Sequence, residues 1–131
     1  MPAIRSVSPR LPVHDLKRTI GFYRELLDFE IGGVWPEKLP TFVILERNGV
    51  RLQFFTPEPP LRENASLPEV VLHFDVDDAK AMHAMLAPHV RVEWGPEVYW
   101  YGCREFAFRD PDGYMIILSE PTDDAPTCVE E

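Results

Sequence analysis

A tight turn between two strands of alternating residues constrains the fold of this chain more than any other feature. The turn is Asp-Pro-Asp-Gly at 110–113, where proline fixes φ at the second position and glycine accepts a positive φ at the last. Apolar and polar residues alternate over 104–109, which is typical of a strand with one buried face. Beyond the turn, Tyr114, Ile116 and Leu118 alternate with Met115, Ile117 and Ser119. The pattern predicts an antiparallel hairpin with Phe106 on one face and Glu105 on the other.

The same order of elements occurs twice along the chain. In the first half, Asp15 caps a predicted helix that ends near Leu27, and an Asn-Gly turn at 48–49 joins two later strands. In the second half, Asp77 is predicted to cap a short helix over 78–87. The predicted strands are 3–13, 29–35, 41–46, 50–55, 70–77, 90–94, 104–109 and 114–120.

This duplicated order predicts an α+β fold in which two tandem βαβββ modules form a cup-shaped mixed sheet. We place module one at 3–56, a proline-rich linker at 57–68 and module two at 69–121, which together make one domain over 1–121. Residues 122–131 are acidic and lack periodicity, so we expect a disordered tail there.

The charge and composition argue against two classes of partner. The formal net charge of -9 does not suit a nucleic-acid-binding protein, which needs a basic face. No apolar run approaches the roughly 18 residues of a membrane-spanning helix, and the N-terminus lacks the apolar region of a signal peptide. We therefore expect a cytoplasmic protein with no membrane partner. The two cysteines form no CxxC pattern, which leaves a zinc knuckle unsupported.

Three features make the chain resemble the vicinal oxygen chelate superfamily, which includes glyoxalases, extradiol dioxygenases and bleomycin resistance proteins. They are the duplicated order, Asp-Leu-x-x-x-x-x-Phe-Tyr at 15–23, and Asp-Pro-Asp-Gly-Tyr at 110–114. The resemblance covers about 4–120. A longer motif at 102–113, Gly-x-Arg-Glu-Phe-Ala-x-Arg-Asp-Pro-x-Gly, is most similar to the bleomycin resistance protein branch. In that branch a homodimer sequesters a cationic, aromatic-tailed glycopeptide between its subunits.

The resemblance also implies where a metal site would lie. Catalytic members hold a divalent metal with His and Glu side chains on the concave sheet face, and the matching positions here are Ser8, Gln53, Val71 and Ile117. Two are aliphatic, and the others offer a hydroxyl and a neutral amide, which hold a divalent ion poorly. We therefore expect no metal, no cofactor and no catalytic residue.

Without a metal, the concave face becomes an apolar and weakly polar pocket beside an aromatic segment at 94–101. Flat rings can stack on planar ligand groups, and carboxylates can attract a cation. The candidate ligand-binding residues are Gln53, Phe55, Val71, His73, Trp94, Tyr99, Trp100, Arg104, Glu105, Met115 and Ile117.

Some of these residues have an alternative structural role. For Trp94, Tyr99 and Trp100, a structural role fits as well as ligand contact does. These rings could close the cup or pack at a dimer interface, because aromatic residues are enriched at ligand sites and at interfaces alike. Arg104 and Glu105 suit a structural ion pair.

The leading functional hypothesis is a metal-free, homodimeric protein similar to bleomycin resistance proteins. It would act by stoichiometric sequestration of a drug-like small molecule of cationic and aromatic character. The main rival is a lyase, isomerase or dioxygenase of the same superfamily with a shifted site around His73, as metal ligand or general base. A third hypothesis is an accessory protein-binding module whose cup is vestigial.

Overall fold

The computed structural model describes residues 1–128, which divide into two compact units, residues 1–67 and the chain from Pro68 onward. Each unit contains one four-stranded mixed sheet and one helix. No helix among the described residues is long and apolar enough to cross a membrane. The elements are β1 (Arg10–Pro12), α1 (Leu16–Leu27), β2 (Glu30–Trp35), β3 (Phe42–Arg47), β4 (Val50–Phe55), β5 (Val71–Asp75), α2 (Ala79–Leu86), β6 (Val92–Tyr99), β7 (Cys103–Arg109) and β8 (Met115–Pro121).

Both units have the same topology. The strand order is β1-β4-β3-β2 in the first sheet and β5-β8-β7-β6 in the second. In each sheet the first strand pairs in parallel with the last, and the remaining pairs are antiparallel. The predicted α+β fold with two tandem βαβββ modules is therefore confirmed, and the boundary at 67/68 falls in the predicted linker.

In the first unit, α1 begins at Leu16 because the Asp15 side chain accepts a hydrogen bond from the backbone N–H of Arg18, at 3.2 Å. Its buried face packs on the sheet through Tyr23, whose ring centroid lies 5.0 Å from that of Phe54. The predicted Asn-Gly turn is also present: Asn48 has φ 51° and Gly49 has φ 81°, as a tight hairpin between β3 and β4 requires.

In the second unit, the turn at 110–113 is held by its own first residue. Oδ1 of Asp110 accepts hydrogen bonds from the backbone N–H groups of Asp112 and Tyr114, at 2.9 and 3.0 Å. Gly113, at φ 91°, donates its N–H to the Asp110 carbonyl at 3.0 Å. The antiparallel hairpin of β7 and β8 is therefore confirmed.

Helix α2 covers one face of the second sheet. The ring of His83 meets the ring of Phe106 edge-on, with centroids 5.1 Å apart. Glu120 accepts a hydrogen bond from the backbone N–H of Ala79 at 2.8 Å, which ties the start of α2 to β8. The sheet residues on this side form the core of the unit, and the fully buried ones include Phe106, Phe108, Ile116 and Leu118.

Three predictions of element bounds are wrong. The first strand, predicted over 3–13, covers only Arg10–Pro12. Asp78, not Asp77, caps α2, since the Asp78 side chain accepts from the Ala81 N–H at 2.9 Å. The strand predicted at 90–94 instead continues to Tyr99. Its continuation depends on Gly95 at φ 78°, where a Cβ would lie 2.3 Å from the Glu105 carbonyl oxygen, so only glycine lets β6 approach β7 this closely.

The predicted tail disorder is wrong for residues 122–128. The N–H of Thr127 donates to the Val98 carbonyl at 2.9 Å, and the N–H of Val98 donates to the Thr127 hydroxyl at 2.8 Å. Arg104 also forms an ion pair with Asp124, at 2.6 Å. The physical reason is that β6 is an edge strand, whose backbone groups need partners. Residues 129–131 lie outside the described residues.

The position of the α2 cap is testable with two adjacent variants. Asp78→Ala should lower the free energy of unfolding by about 1 kcal/mol, because it removes the acceptor for one N–H of the first turn. Asp77→Ala is the matched control and should cost much less, since this exposed residue does not cap the helix. Urea unfolding of both variants measures the difference, and equal losses would contradict the assignment of the cap.

Candidate functional site

The candidate site lies on the face of the second sheet that points away from α2, here called the far face. Strand register identifies its residues, because directly paired residues project to the same side. His73 pairs with Ile117, and Ile117 pairs with Ala107 on its other side. In the next row, Asp75 pairs with Ser119 and Ser119 with Glu105. The far face comprises Val71, His73, Asp75, Trp94, Glu97, Tyr99, Cys103, Glu105, Ala107, Arg109, Met115, Ile117 and Ser119.

The center of the far face is a buried carboxylate with two side-chain partners. The Glu105 side chain is only 4% exposed. Its Oε2 lies 3.2 Å from Nε2 of His73, and its Oε1 accepts a hydrogen bond from the Tyr101 hydroxyl. Burying a carboxylate is costly unless hydrogen bonds compensate, and this arrangement supplies one partner for each oxygen. The cluster therefore joins β5, β7 and the turn that precedes β7.

Aromatic rings flank this cluster. The rings of Tyr99 and Tyr101 are stacked, with centroids 5.7 Å apart and an interplanar angle of 7°. Trp94 meets Tyr99 edge-on at 5.6 Å, and Trp100 meets Tyr101 edge-on at 5.4 Å. Both Trp100 and Tyr101 remain partly exposed, at 61% and 48%. The far face thus offers ring surface beside a polar group.

The electrostatics of the cluster favor neutral tyrosines. Burial raises the pKa of Tyr101 well above its ordinary value, and the hydrogen bond to Glu105 and the charge of that carboxylate raise it further. Burial also raises the pKa of Tyr99, with smaller contributions from Cys128, Glu97 and Glu105. Both hydroxyls therefore stay protonated at neutral pH, so Tyr101 is able to donate to Glu105.

Tyr101 was absent from the predicted binding residues. It lies in the turn between β6 and β7, just before Gly102, whose φ is 86°. A turn residue has no strand periodicity, so the sequence pattern could not assign its side chain to either face. The signal that existed was its place in an aromatic run next to a predicted strand.

Several predicted residues lie on the far face as well. Val71 pairs with Met115, and Ile117 lies between His73 and Ala107. These three apolar side chains, Val71, Met115 and Ile117, form hydrocarbon surface near the His73–Glu105 pair. Val71 is 55% exposed, so part of that surface faces solvent.

Arg104 does not lie on the far face. It precedes Glu105 in β7 and therefore projects to the opposite side, where it pairs with Asp124 of the tail at 2.6 Å. The structural partner of Glu105 is His73. Arg104 and Glu105 therefore do not pair with each other, because adjacent strand residues project to opposite faces, and Arg104 is separated from the remaining candidate residues.

Gln53 and Phe55 belong to the first unit. Both lie on β4, on the sheet face opposite buried Phe54. Oε1 of Gln53 accepts a hydrogen bond from Nε of Arg10 at 2.8 Å, and the Arg10 guanidinium lies 4.7 Å from the center of the Phe42 ring. Gln53 is therefore held by a cation that is itself packed on an aromatic ring.

The residues at the implied metal positions do not fit a divalent metal. In the first unit Ser8 precedes β1 and Gln53 is bonded to Arg10; in the second, Val71 and Ile117 present only hydrocarbon to the far face. A divalent ion held by nitrogen and oxygen ligands needs imidazole or carboxylate groups at such positions. Within residues 1–128 no group of three or more His, Cys, Asp or Glu side chains could hold a metal ion.

Comparisons with known proteins agree with the fold. The family model of the Glyoxalase/Bleomycin resistance protein/Dioxygenase superfamily matches residues 5–118, which confirms the predicted superfamily. A comparison with curated proteins found no match.

Among solved structures, a protein of unknown function from Agrobacterium tumefaciens strain C58 is 29% identical, with a TM-score of 0.67 over 92% of this chain and 96% of that chain. TnmS3, an antibiotic binding protein from Streptomyces sp. CB03234, is 27% identical, with a TM-score of 0.72 over 93% of this chain and 100% of that chain. A lactoylglutathione lyase from A. tumefaciens shares the fold at 20% identity, with a TM-score of 0.72 over 92% and 96% of the two chains.

The raised tyrosine pKa values predict loss of stability in alkali. The unfolded chain releases tyrosine protons near pH 10, whereas Tyr101 and Tyr99 release theirs at higher pH in the fold, and burial raises the pKa of Tyr114 to about 12. Above about pH 10 the folded protein therefore binds more protons than the unfolded chain. The free energy of unfolding is unaffected by these tyrosines below about pH 10 and falls as the pH rises above it.

Urea unfolding between mildly alkaline pH and pH values above about 10 should show this decline. Tyr101→Phe should make the decline shallower, because one of the shifted groups is gone. The control Trp35→Phe, in the first unit, should leave the slope unchanged. A Tyr101→Phe slope equal to that of the wild type would contradict the raised pKa.

Proposed function

The chain belongs to the glyoxalase/bleomycin resistance protein/dioxygenase superfamily, and we propose that it is a metal-free protein that binds and sequesters a drug-like small molecule. The observation that supports this is the chemistry of the far face. Where the superfamily's catalytic members carry metal ligands, Val71 and Ile117 supply hydrocarbon, and aromatic rings lie beside a polar His73–Glu105 pair. Ligand sites commonly combine apolar and aromatic surface with a few polar groups.

The likeness to TnmS3 supports the same proposal. That protein is described as antibiotic binding, and it matches 93% of this chain at 27% identity. A shared fold alone does not imply a shared function, so the proposal rests on the residues of the far face. The match makes antibiotics and similar drug-like compounds the first class of ligand to test.

The ligand we propose is planar and aromatic, with a cationic group as a further feature. Tyr101 and Trp100 offer exposed ring surface, and a net charge of -9 favors the approach of a cation. Exposure supports one carboxylate of the far face over the other as the partner of that cation. Both oxygens of Glu105 already have partners, whereas the Asp75 side chain is 87% exposed. A cationic group would therefore contact Asp75.

The finer parts of the proposal concern the branch and the assembly. We place the chain with the bleomycin resistance proteins, on the motif at 102–113, and propose a cytoplasmic homodimer in which a second subunit completes each ligand site. Light scattering of the purified protein measures the mass directly, and a monomer that binds ligand would remove the dimer from the proposal without affecting binding.

A second candidate function is an isomerase or lyase that uses His73 as a general base. The contact between Nε2 of His73 and the buried Glu105 favors it, because a carboxylate commonly orients a catalytic imidazole. Mass spectrometry of recovered ligand separates the two candidates. Sequestration returns the ligand unchanged, whereas catalysis converts it.

The leading proposal is tested by measuring the binding of bleomycin, both metal-free and copper-loaded, and of a panel of planar aromatic antibiotics. At least one compound should bind with micromolar or tighter affinity. Calorimetry and tryptophan fluorescence measure this binding. Tyr101→Ala should weaken binding about tenfold, the equivalent of ~1.4 kcal/mol, because it removes exposed ring surface and one donor to Glu105.

The control is Met85→Ala, an exposed apolar residue of α2, which covers the other side of the second sheet. It should leave affinity unchanged. The test also includes metal analysis of the purified protein and a ligand titration after a chelator has removed any divalent ion. If no compound of the panel binds at micromolar concentration, or if binding is lost with a removable divalent ion, the proposal is wrong.

A further inference from the structure

We infer that His73 determines ligand specificity on the far face, where its Nδ1 accepts a hydrogen bond from an O–H or N–H group of a planar aromatic ligand. This inference rests on the proposed small-molecule binding and adds the chemical group that the ligand must present. It follows from the partners of the two imidazole nitrogens.

The first step is the role of Glu105. An ionized carboxylate only accepts hydrogen bonds, so the 3.2 Å contact between its Oε2 and Nε2 of His73 requires a proton on Nε2. The Tyr101 hydroxyl satisfies Oε1, which leaves Oε2 for the imidazole. In the neutral imidazole only one nitrogen carries a proton. Nδ1 of His73 is therefore an acceptor.

The second step is that Nδ1 is available. Oδ1 of Asp75 lies 3.9 Å from it, beyond hydrogen-bond distance, and an ionized carboxylate has no proton to offer. The His73 side chain is 48% exposed. Glu105 also faces the imidazole and contacts Nε2. A ligand donor is thus able to approach Nδ1 without displacing a partner.

The third step is the apolar and aromatic surface on the same face as His73. Val71 lies two residues before His73 on the same face of β5 and is 55% exposed. Tyr101 contacts the same Glu105 and is 48% exposed. A flat ring packed on these side chains places its substituents near the imidazole, and a hydroxyl or amine there completes the hydrogen bond. The geometry selects donors and disfavors ethers, which only accept.

The tautomer is measured by long-range ¹H–¹⁵N NMR of the imidazole at mildly alkaline pH. The wild type should show a protonated Nε2 and an unprotonated Nδ1 for His73. In Glu105→Gln this preference should weaken or reverse, because an amide can donate to Nε2. A wild-type His73 protonated on Nδ1 alone would overturn the inference.

A matched pair of probes tests specificity. We expect 2-naphthol to bind about five- to tenfold more tightly than 2-methoxynaphthalene, the gain typical of one hydrogen bond of about 1 kcal/mol. In His73→Phe the ratio should fall to about one, since phenylalanine keeps the flat ring and lacks the acceptor. Tyr101→Ala should weaken both probes, because it removes ring surface that they share.

The outcomes separate this inference from the proposed function. Equal affinity of the two probes for the wild type, with both weakened in Tyr101→Ala, overturns the role of His73 and leaves small-molecule binding intact. A preference for 2-naphthol that persists in His73→Phe does the same. Failure of both probes and of the antibiotic panel contradicts the proposed function itself.

Discussion

The buried carboxylate of Glu105 is the group on which the candidate site depends. A carboxylate that is 4% exposed must be hydrogen-bonded or it destabilizes the fold, and its two partners come from separate elements. His73 approaches from β5 and Tyr101 from the turn before β7. Satisfying one charge thus fixes the orientation of an imidazole and of a phenol ring, and these are the groups we propose to meet the ligand.

Successive side chains of β7 project to opposite faces of the second sheet, so neighboring residues have different roles. Phe106 and Phe108 project toward α2 and are fully buried, whereas Glu105 projects to the far face. Arg104 follows the same rule: it lies on the α2 side and binds Asp124 of the tail. The resulting arrangement gives the sheet a packed side and a side with polar and aromatic groups, and it explains why adjacent residues of one motif have different partners.

Local chemistry made much of the fold predictable. The start of helix α1 follows from the Asp15 cap, and the hairpin at 110–113 follows from proline, glycine and the Asp110 side chain. Two of the errors arose where a distant backbone decided the outcome. The length of β6 depends on Gly95 against β7, and the order of residues 122–128 depends on the free edge of β6. Neither partner is close in sequence, so periodicity carried no signal for them.

The candidate site likewise has features that the sequence determines and features that only the fold determines. The sequence by itself determined that positions 71 and 117 carry hydrocarbon side chains, because residue chemistry needs no coordinates. The resemblance to the superfamily implied that a metal site would need imidazole or carboxylate groups there. Only the tertiary structure decided that His73 contacts Glu105, 32 residues away, and that Tyr101 completes the pair. The physical reason is that such contacts depend on strand order and register, which are set by packing and backbone pairing across the whole sheet.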